Sequence, residues 1–208
     1  MQISTKYLML CTFLLSSLSS SCQTSESPEI GTVTSERILI VYLSRTKNTK
    51  TVAEIIQQKV GGTLVALELR TPYSEDYRAI VDQVARENET GFLPPLKTEI
   101  ENINQYEVIY LGFPTWGMQL PPPMKSFLNQ YDLSGKTIVP FNTNAGYGTG
   151  SNFRSVEELS PNANILEGYS TTGGIERDGI LYVMEGEKLV EVKGEVISWL
   201  KNINMINK

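Results

Sequence analysis

The chain contains 208 residues, of which 40% are hydrophobic and 20% are charged, and its formal net charge is −5. This length suits one domain with a sizeable core, and the mild acidity without a basic block argues against a nucleic-acid-binding protein. The chain has no histidine, which excludes a Ser-His-Asp triad, a Cys-His pair, a histidine general base and histidine-ligated zinc.

Residues 1–21 have the pattern of a secretory signal peptide. Lys6 is followed by an apolar run at residues 7–15 and then by small residues. The apolar run is shorter than the roughly 20 residues that a membrane span needs. Both cysteines, Cys11 and Cys22, lie within the first 22 residues, so the remainder has no thiol for a disulfide or a nucleophile.

Cys22 directly follows small residues, as in the lipobox at which bacterial lipoproteins are cleaved and lipidated. Ser19 stands where the usual lipobox has leucine, and simple secretion or an uncleaved anchor are the alternatives. We expect an exported protein of the bacterial cell envelope whose membrane contact is a lipid on Cys22. Residues 22–35 would then form a flexible polar tether, and residues 36–208 the folded domain.

From residue 36 onward, strand patterns alternate with helix patterns. Apolar runs predict strands at residues 37–43, 63–69, 107–111, 137–142 and 164–168. Apolar residues at helical spacing predict helices at about residues 52–60, 77–84, 124–131, 153–159 and 189–203. This alternation predicts an α/β fold, a doubly wound five-stranded parallel sheet with helices on both faces. Such sheets bind ligands beyond the carboxyl ends of their strands, so the loops after strands one, three and four are the candidate sites.

The loop after the first strand is rich in short hydrogen-bonding side chains. It consists of Ser44, Arg45, Thr46, Lys47, Asn48 and Thr49. These groups and the free N–H groups at a helix start predict an anion pocket that suits a terminal phosphate. The loop has no G-x-G-x-x-G, so a dinucleotide pyrophosphate fits poorly. The alternative is a cluster that only caps the helix, because Ser, Thr and Asn are favoured there in any case.

The other two candidate loops each carry an aromatic side chain among flexible residues. The loop after the third strand contains Pro114, Thr115, Trp116 and Gly117, and its tryptophan could stack on a flat ring or pack under its own loop. The loop after the fourth strand contains Thr143, Asn144, Gly146, Tyr147 and Gly148. Its glycines allow a ligand to approach the backbone closely, although a merely flexible connection is the alternative.

Taken together, these motifs resemble those of flavodoxins over residues 37 to about 202. The resemblance rests on S-x-T-x-N-T after the first strand, G-x-P-T-W after the third and L-S-G-K-T before the fourth. Residues 71–77, with Glu87 and the prolines that follow it, resemble a bacterial subgroup of flavodoxin-like proteins. The resemblance implies the strand order 2-1-3-4-5 and an FMN cofactor.

The resemblance also implies roles for individual residues. Ser44, Thr46, Asn48 and Thr49 match the family's phosphate loop, with backbone donors from Arg45 and Lys47. Trp116 and Tyr147 match the aromatic residues on the two flavin faces, and Gly117 the position whose peptide can reorient toward reduced flavin N5. Thr143, Asn144 and Gly146 match the loop at the pyrimidine edge, and Pro114, Thr115 and Gly148 complete the expected cofactor contacts.

Three functions are consistent with such a site. The first is a one-electron carrier that docks to a redox partner protein, for which mild acidity suits a basic partner. The second is an NAD(P)H-dependent quinone or nitro-compound reductase, in which Arg154 and Arg177 could bind the nicotinamide phosphates. The third is a flavin storage module. Because residues 116–120 carry no acidic side chain and the phosphate loop contains Arg45 and Lys47, we expect a less negative potential than that of a typical carrier.

Overall fold

The central strands of the sheet form where the sequence has continuous apolar runs. Strand β1 (Ile38–Tyr42) is buried along its whole length and lies between β2 (Thr63–Ala66) and β3 (Val108–Pro114). Strand β4 (Thr137–Asn144) pairs with the other edge of β3, and all of these pairs are parallel. The computed structural model describes residues 33–207.

The fifth strand differs from the prediction because it is divided in two. Strands β5 (Asn164–Ile165) and β6 (Tyr169–Thr172) both run parallel to β4, so the order β2-β1-β3-β4-β5 confirms the predicted fold class. The break between them lies opposite Pro140 of β4, since Ile138 pairs with Ile165 and Phe141 with Tyr169. Proline has no N–H to donate to a neighbouring strand, which gives a physical reason for the break.

In the described part of the chain, five helices cover the two faces of the sheet. Helices α1 (Asn48–Val60) and α5 (Gly186–Asn202) pack on one face. Helices α3 (Pro122–Gln130) and α4 (Asn152–Leu159) pack on the other face, and α2 (Tyr77–Thr90) contacts α3. Three short 3-10 turns complete the described elements, at Ser35–Arg37, Ile103–Gln105 and Glu176–Asp178.

Alternation along the strands places two apolar clusters on opposite sides of the sheet. Tyr110 of β3 points into the cluster with α1 and α5, and its neighbour Leu111 points into the cluster with α3 and α4. Successive residues of a strand face opposite sides of the sheet, so a strand without polar positions is covered on both faces. The loops of interest leave the carboxyl ends of these helix-covered strands.

Several predicted boundaries are wrong by a few residues. Strand β2 ends at Ala66 and not at residue 69, because its partner β1 ends at Tyr42, which pairs with Ala66. Strand β3 continues to Pro114, because β4 runs beside it as far as Thr143. Helix α2 extends six residues beyond the predicted stripe and ends at Thr90, where Gly91 follows with a φ of 67°.

The predicted signal peptide, the lipidation of Cys22 and all but the last three residues of the predicted tether lie outside the described residues. Within residues 33–207, no helix is both long enough and apolar enough to span a membrane.

Candidate functional site

One cleft of about 620 Å³ opens at the carboxyl ends of β1, β3 and β4. It includes residues from all three loops that the sequence analysis selected. Helix α2 and the segment after β6 complete its wall. The cleft therefore lies where a doubly wound sheet is expected to bind ligands.

The structure brings twelve of the fifteen predicted cofactor-binding residues to the cleft wall. They are Arg45, Thr46, Asn48, Thr49, Pro114, Thr115, Trp116, Gly117, Thr143, Asn144, Tyr147 and Gly148. The other three, Ser44, Lys47 and Gly146, are not among the lining residues, although each is adjacent in sequence to one that is.

The start of α1 forms one end of the cleft. Lys47 immediately precedes the helix in a left-handed conformation with a φ of 69°, and its exposed side chain makes no capping hydrogen bond. Asn48 and Thr49, the first two helical residues, are almost fully buried. The Thr49 hydroxyl lies 2.8 Å from that of Thr143, so this pair joins the start of α1 to the end of β4. A helix start with hydroxyl groups in a cleft is suited to an anion.

Asn48 has a structural task besides its place in the phosphate loop. Its side-chain amide donates to the hydroxyl of Thr46 at 2.9 Å and to the carbonyl of Leu181 at 2.7 Å. Its side-chain oxygen accepts from the N–H of Val183 at 3.1 Å. Since Asn48 donates to the Thr46 oxygen, the Thr46 hydroxyl keeps its own proton for another acceptor.

The guanidinium group of Arg45 binds to other residues of the protein. It forms an ion pair with Glu176 and donates to the carbonyl oxygens of Ser74 and Glu75 at 2.8 Å and 2.6 Å. The side chain thus fastens the phosphate loop to two other segments. Its positive charge is largely offset by Glu176, which also lines the cleft.

The loop after β3 makes a tight turn around Trp116. Trp116 and Gln119 exchange backbone hydrogen bonds of 3.3 Å and 3.0 Å. Between them, Gly117 and Met118 both have left-handed conformations, with φ values of 57° and 61°. The indole of Trp116 is half-buried, and the edge-on ring of Tyr73 lies 5.6 Å away. The tryptophan therefore has a packed side and an accessible side.

The loop after β4 is held by the side chain of Asn144. Its oxygen accepts hydrogen bonds from the N–H groups of Gly146 at 2.8 Å and Gly148 at 3.2 Å. Both glycines have positive φ values, of 88° and 86°, which permit this turn. Tyr147 between them is 64% exposed at the cleft mouth.

Of the two arginines that could bind nicotinamide phosphates, only Arg177 lines the cleft. Arg177 lines the cleft, but its guanidinium group donates to Asp178 at 2.8 Å and to the Tyr147 hydroxyl at 3.3 Å. Arg154 is not among the lining residues and lies 3.7 Å from Glu158, one turn along α4.

The wall that α2 and the segment after β6 contribute was not predicted from the sequence. The missed lining residues on α2 are Tyr77, Ile80, Val81, Val84, Ala85, Asn88 and Glu89. Those after β6 are Gly173, Gly174, Ile175 and Glu176. The paired glycines at 173–174 were a usable signal, because a glycine pair directly after a strand marks a loop with close backbone contacts.

The comparisons with known proteins agree with this geometry. The sequence model of the family described as flavodoxin matches residues 37–186. The chain belongs to the flavodoxin family. A flavodoxin from Synechocystis is 24% identical over 160 residues, which cover 73% of this chain and 80% of the relative.

Solved structures of flavoproteins share the fold. A flavoprotein from Bacteroides eggerthii superposes with a TM-score of 0.64 at 26% identity, over 81% of this chain and 98% of that chain. One from Bacteroides uniformis gives 0.65 at 22% identity, over 80% and 98%. A flavoprotein from Lactobacillus acidophilus in complex with FMN gives 0.58 at 21% identity, over 65% and 92%.

Membership of the flavodoxin family confirms the predicted resemblance and supports FMN as the cofactor. The residues of the cleft fit this group. The end at α1 offers hydroxyl groups and a helix start to a phosphate, and the middle offers an accessible indole to a flat ring. At Gly117, no atom of the described residues other than its chain neighbours lies within 4 Å of where a Cβ would stand, so the backbone is open to a ligand.

Proposed function

We propose that this flavodoxin-family protein binds FMN in the cleft and carries electrons one at a time to a redox partner in the cell envelope. The observation that carries the proposal is the convergence of the α1 hydroxyls, the Trp116 indole and the Tyr147 loop on one cleft. FMN supplies the redox chemistry when it is bound. A carrier needs no proton-transferring histidine, which agrees with a chain that has none.

The start of α1 would hold the phosphate. Thr46 and Thr49 line the cleft there, and Ser44 and the backbone N–H groups of residues 45–49 belong to the same loop and helix start. The Ser44 hydroxyl already accepts from the N–H of Lys50 at 3.2 Å, so its own proton can be donated. The positive end of the helix dipole adds to the attraction for a dianion.

The loops after β3 and β4 would hold the ring. Trp116 and Tyr147 supply aromatic surfaces for stacking, and the polar groups of Thr143, Asn144 and Gly146 would meet the pyrimidine edge. Pro114, Thr115 and Gly148 shape the wall between them. Stacking and hydrogen bonding of this kind orient the cofactor, exclude water from its faces and tune its potential.

The test is FMN binding followed by stepwise anaerobic reduction, observed in the visible spectrum. The carrier proposal predicts binding and two separate one-electron steps. A single two-electron step would contradict it, and absence of FMN binding would overturn the cofactor assignment for this chain. Riboflavin serves as a control ligand, because the phosphate end of the cleft predicts much weaker binding of the ligand that lacks this group.

One observation favours a second candidate, the NAD(P)H-dependent reductase. Tyr77, Val81 and Ala85 lie one turn apart on α2, line the cleft and are exposed, so they offer an apolar wall to a second organic molecule. Arg177 is paired with Asp178, so its charge is already offset, and this argues against nicotinamide phosphate binding. Turnover of NADH or NADPH with a quinone or nitroaromatic acceptor would favour the reductase over the carrier.

We also propose a potential that is less negative than that of a typical electron-carrying flavodoxin. No acidic residue lies in the turn from residue 116 to 120, so the negative charge of the reduced cofactor meets little local repulsion. Two carboxylates, Glu89 and Glu176, do line the cleft, but Arg45 pairs with Glu176. A measured potential in the usual low range would contradict this proposal.

The envelope location is proposed from the sequence of the first 22 residues. Lipidation at Cys22 would tether the domain to a membrane and place its redox partner on the same side. Metabolic labelling with a fatty acid, compared between the wild type and Cys22→Ser, tests the anchor. Equal labelling of the two proteins, or none in either, would overturn it.

A further inference from the structure

Behind the Trp116 indole lies Tyr73, a residue to which neither the family resemblance nor the cleft assigns a role. Tyr73 belongs to the segment between β2 and α2, and its ring meets the indole edge-on at an interplanar angle of 80° and a centroid distance of 5.6 Å. Among residues 33–207, no hydrogen bond fixes the Trp116 indole N–H, whereas the N–H of Trp199 donates to the carbonyl of Glu167. The orientation of Trp116 therefore depends on packing.

Tyr73 is itself fixed by a buried carboxylate. Its hydroxyl donates to Oε2 of Glu87 at 2.5 Å, and the amide of Gln83 donates to Oε1 of the same group at 2.8 Å. Glu87 is only 6% exposed, and no ion pair involves it within the described part of the chain. Burial and the bond to Glu87 raise the pKa of the Tyr73 hydroxyl far above its usual value, so it stays a donor.

A buried carboxylate with two neutral donors and no cation is costly for α2. An apolar residue at position 87 would satisfy the packing of the helix without that cost. The arrangement instead fixes one tyrosine, and this tyrosine contacts Trp116, a half-buried aromatic side chain that lines the cleft.

We propose that Tyr73 and Glu87 are positioning residues for Trp116. Glu87 holds the Tyr73 hydroxyl, Tyr73 holds the indole, and the indole is thereby presented to the ring of the bound cofactor in one orientation. The consequence for binding rests on the proposed function, but the orientation of Trp116 in the cofactor-free protein does not.

The chain contains a matched control for this arrangement on the opposite face of the sheet. Tyr169 donates its hydroxyl to Glu195 at 2.6 Å, and its ring lies 5.4 Å from that of Trp199. The protein thus has two tryptophans, each beside a tyrosine that is hydrogen-bonded to a glutamate. Only Trp116 lines the cleft.

The experiment is 19F NMR of cofactor-free protein labelled with 5-fluorotryptophan, with the signal of Trp116 assigned by Trp116→Phe. We expect Tyr73→Phe to move or broaden the Trp116 signal and to leave Trp199 unchanged. Tyr169→Phe should do the reverse. Glu87→Leu should change the Trp116 signal as Tyr73→Phe does. Glu87→Gln should keep the wild-type signal, because its side-chain carbonyl can still accept from Tyr73.

Titration with FMN gives the second measurement. Loss of a fixed aromatic contact is expected to weaken FMN binding about 3- to 10-fold in Tyr73→Phe and to leave binding unchanged in Tyr169→Phe. Adding Glu87→Leu to Tyr73→Phe should cause little further loss, since the two residues act in series.

A Trp116 signal that stays unchanged in Tyr73→Phe overturns the proposal, even if Glu87→Leu cannot be folded. A signal that moves without a change in FMN affinity overturns the link to binding. If the wild type binds no FMN, the proposed function fails, and the 19F comparison still decides whether Tyr73 positions Trp116.

Discussion

Arg45 Nε lies 2.5 Å from Oε1 of Glu176, and only 21% and 22% of the two side chains are exposed. The pair joins the phosphate loop to the segment after β6, which is 131 residues away in the chain. It also places a compensated charge, and not a free cation, beside the expected phosphate site.

Replacement of Glu176 tests the electrostatic part of this arrangement. Glu176→Gln removes a negative charge from the cleft wall, so we expect a less negative FMN potential, measured by equilibrium reduction. The variant should also lose about 1–3 kcal/mol of stability in urea unfolding, because Arg45 stays partly buried without its partner. Glu158→Gln removes the same charge from an exposed pair with Arg154 and should change neither quantity appreciably. Equal shifts in both variants would contradict a local effect.

Asn48 should contribute to both folding and binding. Asn48→Ala removes three hydrogen bonds, to Thr46, Leu181 and Val183, and leaves the carbonyl of Leu181 and the N–H of Val183 without this partner. We expect a loss of about 2–3 kcal/mol in urea unfolding and weaker FMN binding. The control is Asn164→Ala, whose one side-chain bond, to Thr137, is long and exposed. If Asn48→Ala were as stable as this control, the contact between the phosphate loop and residues 181–183 would be unimportant.

Two tyrosines beside Trp199 should respond to the same substitution in opposite directions. Within the described residues, the buried hydroxyl of Tyr110 has no hydrogen-bond partner, whereas that of Tyr169 donates to Glu195. Tyr110→Phe should therefore stabilise the protein by about 1 kcal/mol, and Tyr169→Phe should destabilise it by a similar amount. Thermal unfolding monitored by circular dichroism measures both. Destabilisation by Tyr110→Phe would indicate an unrecognised partner, such as a buried water molecule.

The same tyrosine predicts a pH dependence. Burial raises the pKa of the Tyr110 hydroxyl above its usual value near 10, so the folded protein keeps a proton that the unfolded chain loses. Stability should consequently be unaffected by this group below pH 10 and fall as the pH rises further. Tyr110→Phe should make that fall shallower by about 1.2 kcal/mol per pH unit between about pH 10.5 and 11.5. Urea unfolding over this range provides the measurement, and identical slopes in the two proteins would refute the prediction.

Two glycines outside the cleft should give opposite results when alanine replaces them. A Cβ on Gly112 in β3 would lie 2.1 Å from the ring of Phe141, so Gly112→Ala should cost about 1–3 kcal/mol or more. A Cβ on Gly194 in α5 would meet no atom within 4 Å, and alanine has the higher helix propensity there. Gly194→Ala should therefore stabilise the protein by about 0.5–1 kcal/mol, as measured in urea.

The fold class was predictable because its pattern is local. Runs such as residues 38–42 have no polar position, which indicates a strand covered on both faces, and helical stripes separate these runs. The division of the last strand was not predicted, although its cause, Pro140, was visible. Its effect depends on which residue of the neighbouring strand lies opposite, and that register is a property of the assembled sheet.

For the cleft, the sequence by itself determined the three loops that follow parallel strands, because the carboxyl ends of such strands meet at one edge of the sheet. It indicated the phosphate-binding side chains and the aromatic residues from their types and spacing. Only the tertiary structure decided that α2 forms a wall of the cleft, that Glu176 offsets Arg45, and that Tyr73 and Glu87 lie behind Trp116. These contacts join residues that are 14 to 131 positions apart. A local sequence pattern does not show which residues so far apart in the chain will meet. These contacts are therefore decided by the packing of the complete chain.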